Sequence, residues 1–241
     1  MTAVPGGLWA APAPVAVALA FCPSAPLLLP VVEGRPAEET SALRRACDEA
    51  VAAMLAVAPG VVVVVADGAA PGVRFGSGDV GDLRGFGVDV AVPFAGPVRD
   101  GARRLPTAHT IGAWLLDRGG FAGRRIGVGP GDVRELLEDL PGPVGVLVMG
   151  DGSARRTVKA PGYLDEAAAP FDAVVGRALA SGNPAALAAL DPAEGERLLA
   201  AGVPAWRAVG EALAGRTVTA RLHLDQAPFG VGYLVADWLV A

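Results

Sequence analysis

The segment VGVLVMGDGSARRT, residues 144–157, places an aspartate and a serine on a glycine-rich turn directly after an apolar run. Asp151 and Ser153 can form hydrogen bonds, and the backbone N–H groups of such a turn can bind an anion. Arg155 and Lys159 add positive charge nearby, in a chain of formal net charge −5. The pattern predicts a ligand site at the carboxyl end of a sheet strand, or a turn whose polar groups satisfy one another.

Two more polar residues follow apolar runs in the same way. Ser24 comes shortly after residues 15–21, VAVALAF, and Asp67 follows residues 61–66, VVVVVA. The ends of parallel strands meet at one edge of a sheet, where α/β proteins bind their ligands. We therefore expect Ser24 and Asp67 to contribute to ligand binding, although Asp67 is also a typical residue to end a buried strand in an Asx turn.

The chain contains two histidines, and both are candidates for catalysis. His109 lies at the start of a predicted helix, where a position near the cap or the core edge is its ordinary explanation. His223 lies in a predicted strand. If Asp225 shares a face with His223, the pair can form a weak metal site or an acid/base dyad. A structural hydrogen bond is the alternative for this pair.

Alternating apolar runs and helical patterns place these residues in an α/β fold. Five valine-rich runs bounded by glycine or proline predict strands at residues 15–21, 61–66, 88–92, 125–129 and 144–149, and two late strands are predicted at 217–224 and 232–239. Helices are predicted at residues 38–57, 107–117, 171–180, 184–190, 193–200 and 204–214. This order predicts a single domain over residues 1–241, an α/β sandwich around a mixed central sheet. The glycine-rich sequence of residues 67–104 predicts a long loop or hairpin that covers a site.

Composition narrows the partners and the compartment. Hydrophobic residues make up 52% and charged residues 19% of the chain, which is typical of a folded protein with a large core. The net charge of −5 disfavours nucleic acid as a partner. Cys22 and Cys47 have no metal-binding or disulfide spacing, which favours a reducing, cytoplasmic setting. The first 32 residues are uncharged but interrupted by prolines, so neither an export signal nor a membrane span is expected.

Four segments together resemble a known family. They are FCPSAPLLLP at 21–30, VVVVVADG at 61–68, VLVMGDGSARRT with APGY at 146–163, and DQAPFGVGYLVADW at 225–238. In order and spacing they are similar to the catalytic subunit of the class III extradiol ring-cleavage dioxygenases. The resemblance covers nearly the whole chain and implies the same α/β fold.

The resemblance also implies an iron site, which this sequence does not retain. In the family, two histidines and a glutamate hold a non-haem Fe(II), and a further histidine acts as acid and base. The histidine positions fall here at Ser24 or Ala25, at Gly68 beside Asp67, and at Ala154 beside Ser153, and the nearest candidates for the glutamate are Asp225 and Gln226. Serine, alanine and glycine are not Fe(II) ligands, so we expect no metal and no cofactor.

Three hypotheses for the function follow. The first is a metal-free or remodelled pocket that binds a small anionic or aromatic ligand through Ser24, Asp67, Asp151 and the residues after it. The second is an active iron-dependent oxidoreductase that cleaves a catechol-like ring with relocated ligands, for which His109, His223 and Asp225 are the candidates. The third is a scaffold or subunit that pairs with a catalytic partner, since members of this superfamily commonly form oligomers.

Overall fold

A six-stranded mixed sheet forms the centre of the computed structural model, which describes residues 17–241. Its strands are β1 (Val17–Cys22), β2 (Val61–Val65), β5 (Arg124–Val128), β6 (Val144–Met149), β7 (Val218–Gln226) and β8 (Tyr233–Val240). They lie in the order β5-β2-β6-β1-β8-β7. Strands β3 (Val80–Asp82) and β4 (Ala91–Pro93) form a separate antiparallel pair.

Four parallel strands build one side of this sheet, and two antiparallel strands complete the other. β1 pairs with β6, β6 with β2 and β2 with β5, all in parallel, whereas β8 runs antiparallel to β1 and β7 antiparallel to β8. Every residue of β1, β2 and β6 is buried. Continuous valine-rich runs suit these strands because helices cover both of their faces.

Helices cover the sheet in two layers. They are α1 (Pro30–Glu33), α2 (Glu38–Leu55), α3 (Thr107–Arg118), α4 (Val133–Asp139), α5 (Ala168–Ser181), α6 (Pro184–Ala188), α7 (Pro192–Arg197) and α8 (Val203–Ala212), with short 3-10 turns at Pro26–Leu28, Arg84–Phe86 and Pro130–Asp132. α2 and α3 pack on one face, and α4, α5, α6 and α8 pack on the other. No helix within residues 17–241 is both long enough and apolar enough to cross a membrane.

The predicted α/β sandwich around a mixed sheet is confirmed. β1, β2, β5 and β6 agree with four of the five predicted early strands, although residues 15 and 16 of the first lie outside the described part of the chain. The prediction of a fifth early strand at residues 88–92 was wrong, because only the short β4 forms there, outside the central sheet. Helix α4 was not predicted.

Residues 67–104 form a hairpin-like segment that packs on α3. Gly81 of β3 approaches this helix so closely that a Cβ atom on it would lie 1.9 Å from the Thr110 hydroxyl oxygen. Asp79 anchors the segment from inside, because this fully buried carboxylate pairs with both Arg99 and Arg103. Phe75 attaches the segment to the sheet edge through a bridge to Gly127 of β5.

The start of α8 lies directly on the end of β6. The Gly202 N–H donates to the Asp151 carbonyl at 2.8 Å, and the Gly150 N–H donates to the Cys22 carbonyl at 3.0 Å. A Cβ atom on Gly150 would lie 2.2 Å from the Gly202 Cα, so only glycine allows this approach. The contact fixes the turn after β6 between the end of β1 and the start of α8.

Replacing Gly150 by alanine is expected to destabilise the fold. The added methyl group meets backbone rather than a movable side chain, and overpacking of this kind costs about 1–3 kcal/mol. Gly60→Ala is the matched control, because nothing lies within 4 Å of its added Cβ. Urea denaturation should show a lower free energy of unfolding for Gly150→Ala only. Equal stability of the two variants would contradict the close approach.

Candidate functional site

Three polar residues converge where three neighbouring parallel strands end. Ser24, Asp67 and Asp151 each lie two residues beyond the last residue of β1, β2 and β6, respectively. β1 and β6 pair without an offset up to their last residues, and β2 ends one residue earlier, because its last residue, Val65, pairs with Val148. The sheet thus brings together Ser24, Asp67 and Asp151 at its carboxyl edge, as the sequence predicts.

Asp151 links two of these strand ends through its side chain. Its Oδ1 atom accepts the N–H of Ser24 at 2.9 Å. The side chain has no arginine or lysine partner within residues 17–241, and burial raises the pKa of this carboxyl group to about 6. Asp151 is therefore a carboxyl group that can hold or release a proton near neutral pH.

Two ionisable groups near Asp151, the Tyr233 hydroxyl and the Cys47 thiol, also have raised pKa values. Burial, together with the charge of Asp151, raises the pKa of the Tyr233 hydroxyl. A hydrogen bond with Cys22, together with burial, raises the pKa of the Cys47 thiol. Both cysteines are free and fully buried. The raised pKa keeps the Cys47 thiol protonated, so this thiol is inert rather than nucleophilic.

A cavity of about 320 Å³ opens in front of the strand ends. It is lined by Ser24, Asp67, Gly68, Pro106, Thr107, Ala108, Met149 and Ala201. A second cavity of about 560 Å³, between α7 and the start of α8, shares Asp67 and Ala201 with the first and adds Glu196. We call the two together the strand-end cavity. Their charged lining residues are both carboxylates, Asp67 and Glu196.

His109 lies behind this cavity rather than in it. The side chain is fully buried on α3, with Nε2 at 3.0 Å from the Val128 carbonyl and no partner for Nδ1 within residues 17–241. Burial lowers the pKa of His109 to about 4, although the Val128 carbonyl and the charge of Asp67 both oppose this shift. The imidazole is therefore neutral at neutral pH and is shielded from a ligand.

Ser153 has a structural role in place of the expected ligand contact. It is fully buried, and its N–H donates to the Asp172 carboxylate at 2.8 Å. Its hydroxyl donates to the Leu198 carbonyl at 3.2 Å and accepts the N–H of Arg155 at 3.1 Å. The turn satisfies its own polar groups, which was the alternative explanation of this motif.

Asp172 on α5 is the partner that the sequence did not reveal. Arg156 pairs with it at 2.9 Å, and Gly232 makes room for it, since a Cβ there would lie 2.3 Å from its Oδ2. Burial still raises the pKa of this carboxyl group despite the guanidinium. No local pattern joins Asp172 to Ser153, because the two lie far apart in the chain and meet only when α5 packs on the sheet.

The positive residues after this turn do not reach the strand-end cavity. Lys159 is exposed, Arg155 is partly buried, and neither lines the cavity. The carbonyl of Arg155 accepts the N–H of Asp165, which fixes the loop that follows. The fold therefore does not bring Arg155 and Lys159 together with Ser24 and Asp67 around one cavity, contrary to the expectation from the sequence.

His223 and Asp225 lie on opposite faces of the sheet. The pairing of β7 with β8 is irregular between Leu222 and Leu224, and the extra residue, His223, sits in this bulge. His223 faces α2, with Nδ1 at 3.1 Å from Glu49 and Nε2 at 2.6 Å from Asp237. Asp225 lies against Gly176 of α5. The bulge breaks the alternation that a shared face requires.

The three catalytic candidates are thus held in three separate places. His109 contacts β5 at one edge of the sheet and His223 lies on β7 at the other, roughly 24 Å away by the strand spacing. A single metal ion cannot bind both histidines. Within residues 17–241 no three His, Cys, Asp or Glu side chains lie close enough together to hold a metal ion.

Comparison with known proteins finds no match: no family model and no curated protein matches the chain. The features that point to a function are therefore the fold and the strand-end cavity.

Replacing Asp151 by asparagine is expected to stabilise the protein at neutral pH. The folded state binds the Asp151 proton more tightly than the unfolded chain, in which the usual pKa is 3.8. Stability therefore falls as the pH rises from 3.8 to 6, and the ionised carboxylate costs up to about 3 kcal/mol above that range. Asparagine keeps an oxygen for the Ser24 N–H and carries no charge.

Urea denaturation at several pH values measures this difference. Asp151→Asn should be more stable than the parent protein at pH about 7.5, and the gain should vanish near pH 3.5, below both pKa values. The titration of His109 is present in both proteins and cancels in the comparison. Asp100→Asn, an exposed change, is the control. A gain that does not depend on pH, or a loss at neutral pH, would contradict the raised pKa.

Proposed function

We propose that this chain is a member of the class III extradiol dioxygenase-like superfamily whose strand-end cavity binds a small hydroxylated aromatic compound directly, without iron. The observation that carries the proposal is the convergence of Ser24, Asp67 and Asp151 in front of three parallel strands. This is the edge at which α/β proteins bind ligands, and it is where the resemblance places the family's metal. Where the resemblance places the family's first histidine, Ser24 offers a hydroxyl oxygen, and Asp67 adds a carboxylate beside Gly68, the second histidine position.

The charge of the cavity selects among the ligands that the sequence suggests. Its charged lining groups, Asp67 and Glu196, are negative, so an anionic ligand is disfavoured at this site. A phenolic hydroxyl group donates a hydrogen bond, and a carboxylate is a strong acceptor for it. The pattern favours an uncharged compound with hydroxyl groups.

The shape of the cavity favours an aromatic body for that compound. Pro106, Ala108, Met149 and Ala201 supply apolar walls around the polar groups. The part of the strand-end cavity in front of the strand ends has a volume of about 320 Å³. This volume lies in the range of small-molecule sites and accommodates a single ring. Asp151 then acts as a positioning residue, since it fixes the Ser24 backbone and lies next to the groups that touch the ligand.

Catechol is the probe for this proposal, and 1,2-dimethoxybenzene is its matched control. The two have similar rings, but the second cannot donate hydrogen bonds. Calorimetric titration of the protein, prepared with a metal chelator, should show that catechol binds and that 1,2-dimethoxybenzene binds at least tenfold more weakly, because about 1.5–3 kcal/mol of charge-assisted hydrogen bonding is lost. Asp67→Asn should weaken catechol binding about tenfold for the same reason.

Asp100→Asn is the control for the loss of one carboxylate, because Asp100 is exposed and does not line the strand-end cavity. Equal affinities of the Asp67→Asn and Asp100→Asn variants for catechol would overturn the proposal. A second arm adds Fe(II) and follows oxygen uptake with catechol. Stoichiometric iron with ring cleavage would instead support the oxidoreductase hypothesis, whose candidate ligands lie apart in this structure.

A further inference from the structure

Another cavity, separate from the strand-end cavity, lies at the opposite end of the sheet. It has a volume of about 830 Å³ and surrounds the first residues of β5, the edge strand. It is lined by residues of the 74–77 segment, the 122–126 segment and the end of α4. A further cavity of about 570 Å³ continues from it, with Ala95, Gly96, Ala122, Gly123 and Arg125 shared. We call this continuous space the arginine groove.

The groove exists because only one position of the β5 edge is covered. Phe75 exchanges both backbone hydrogen bonds with Gly127, at 2.8 and 2.9 Å, and the 74–77 segment then leaves the strand. Backbone groups alternate in direction along a strand, so Arg125 presents its N–H and carbonyl to the same outer side as Gly127. These groups face the groove as an open sheet edge, which is a ready hydrogen-bonding surface.

Positive charge dominates the walls of the groove. Of its charged lining residues, four are arginines, Arg74, Arg103, Arg124 and Arg125, and two are acids, Asp117 and Asp139. In a protein with a net charge of −5, this concentration is unusual. Arginine side chains bind carboxylates through two parallel hydrogen bonds, which makes them well suited to an anionic ligand.

These arginines are incompletely neutralised. Arg124 is exposed and makes no ion pair and no side-chain hydrogen bond with any residue in the described range 17–241. Arg74 reaches Glu135 only at 4.0 Å. Arg103 shares one buried carboxylate, Asp79, with a second arginine, Arg99. The rim therefore carries excess positive charge.

Arg125 provides an independent sign that a partner is missing. Its side chain is only 4% exposed, and it donates to the carbonyls of Phe94, Ala113 and Phe121 and pairs with Asp117. Its Nε atom is buried and has no acceptor within the described residues. Buried guanidinium donors are normally satisfied. Arg125 lines both cavities of the groove, so this incompletely satisfied guanidinium forms part of its wall.

The remaining walls of the groove are apolar. Phe75, Ile126, Leu136, Leu140 and Pro141 lie along it. A ligand that fits both surfaces has a negative group for the arginines and an apolar body for these side chains. We propose that the arginine groove is a second binding site, separate from the strand-end cavity, for an organic carboxylate with an apolar body.

Benzoate is the probe for this site. Calorimetric titration should show that benzoate binds. Two controls should each bind at least tenfold more weakly: benzyl alcohol has the same ring without the charge, and inorganic phosphate has charge without the ring.

Arg124→Gln should weaken benzoate binding about tenfold, the loss expected for one charge-assisted contact. Arg124 is exposed, so this variant should keep the fold. Arg45→Gln removes an exposed arginine of α2, which lies away from the groove, and should leave the affinity unchanged.

An NMR titration identifies the location. Benzoate should shift the backbone amide signals of Arg124, Arg125 and Gly76 and leave those of Ser24 and Gly68 in place. Asp67→Asn should not change benzoate binding, and Arg124→Gln should not change catechol binding, so the two sites can fail independently. No benzoate binding at millimolar concentration, equal affinities of Arg124→Gln and Arg45→Gln, or equal binding of phosphate and benzoate would overturn the proposal.

Discussion

The hydrogen bond from the Ser24 amide to the Asp151 carboxylate joins the ends of two neighbouring strands, and the geometry of the whole site depends on it. It can form because β1 and β6 are parallel and pair without an offset up to their last residues. β2 ends one residue earlier on the other side of β6, which still brings Asp67 to the same edge. A shift of β1 against β6 by one residue would separate the Ser24 amide from the Asp151 carboxylate and move buried side chains from one helix-covered face of the sheet to the other.

Three poorly solvated carboxylates in this protein differ in how they are compensated. Burial would raise the pKa of Asp79, but the amides of Gly76 and Arg103 and the Arg103 guanidinium hold it below its usual value. Asp172 has one amide and one guanidinium, and its pKa stays raised by burial. Asp151 has Ser24 as its partner and no cation within the described residues, and its pKa rises to about 6. Of these three carboxyl groups, the least compensated is Asp151, which lies beside the strand-end cavity.

This difference connects stability with function. A poorly solvated carboxylate without a cation lowers stability at neutral pH, and residues that do so at a ligand-binding edge are typical of sites kept for function. Asp79 and Asp172, in contrast, anchor loops. Asp79 secures the segment that borders the arginine groove, and Asp172 secures the turn that follows β6. Aspartate therefore has a structural role at residues 79 and 172, whereas Asp151 lies beside the cavity proposed to bind a ligand.

The sequence predicted the central strands and the convergence of Ser24, Asp67 and Asp151, because continuous apolar runs and strand ends are local signals. It did not predict features that arise from tertiary packing. The bulge at His223 reverses the alternation that would have placed it with Asp225. The pairing of Ser153 with Asp172 depends on the docking of α5.

The strand predicted at residues 88–92 did not form in the central sheet, whose buried runs are continuously apolar. The segment VDVAV alternates in polarity, and its short β4 pairs outside that sheet. The arginine groove was not foreseen either, since its lining residues come from separate segments that only the fold brings together.

The pKa of the Asp151 carboxyl group itself is the most direct measure of this account. A titration followed by the ¹³C NMR signal of its side-chain carboxyl carbon, assigned by its loss in Asp151→Asn, gives that value without reference to stability or ligand. The account predicts a midpoint of about 6. A midpoint at or below the usual value of 3.8 would mean that the carboxylate is well compensated, and the strand-end cavity would lose its distinguishing chemistry.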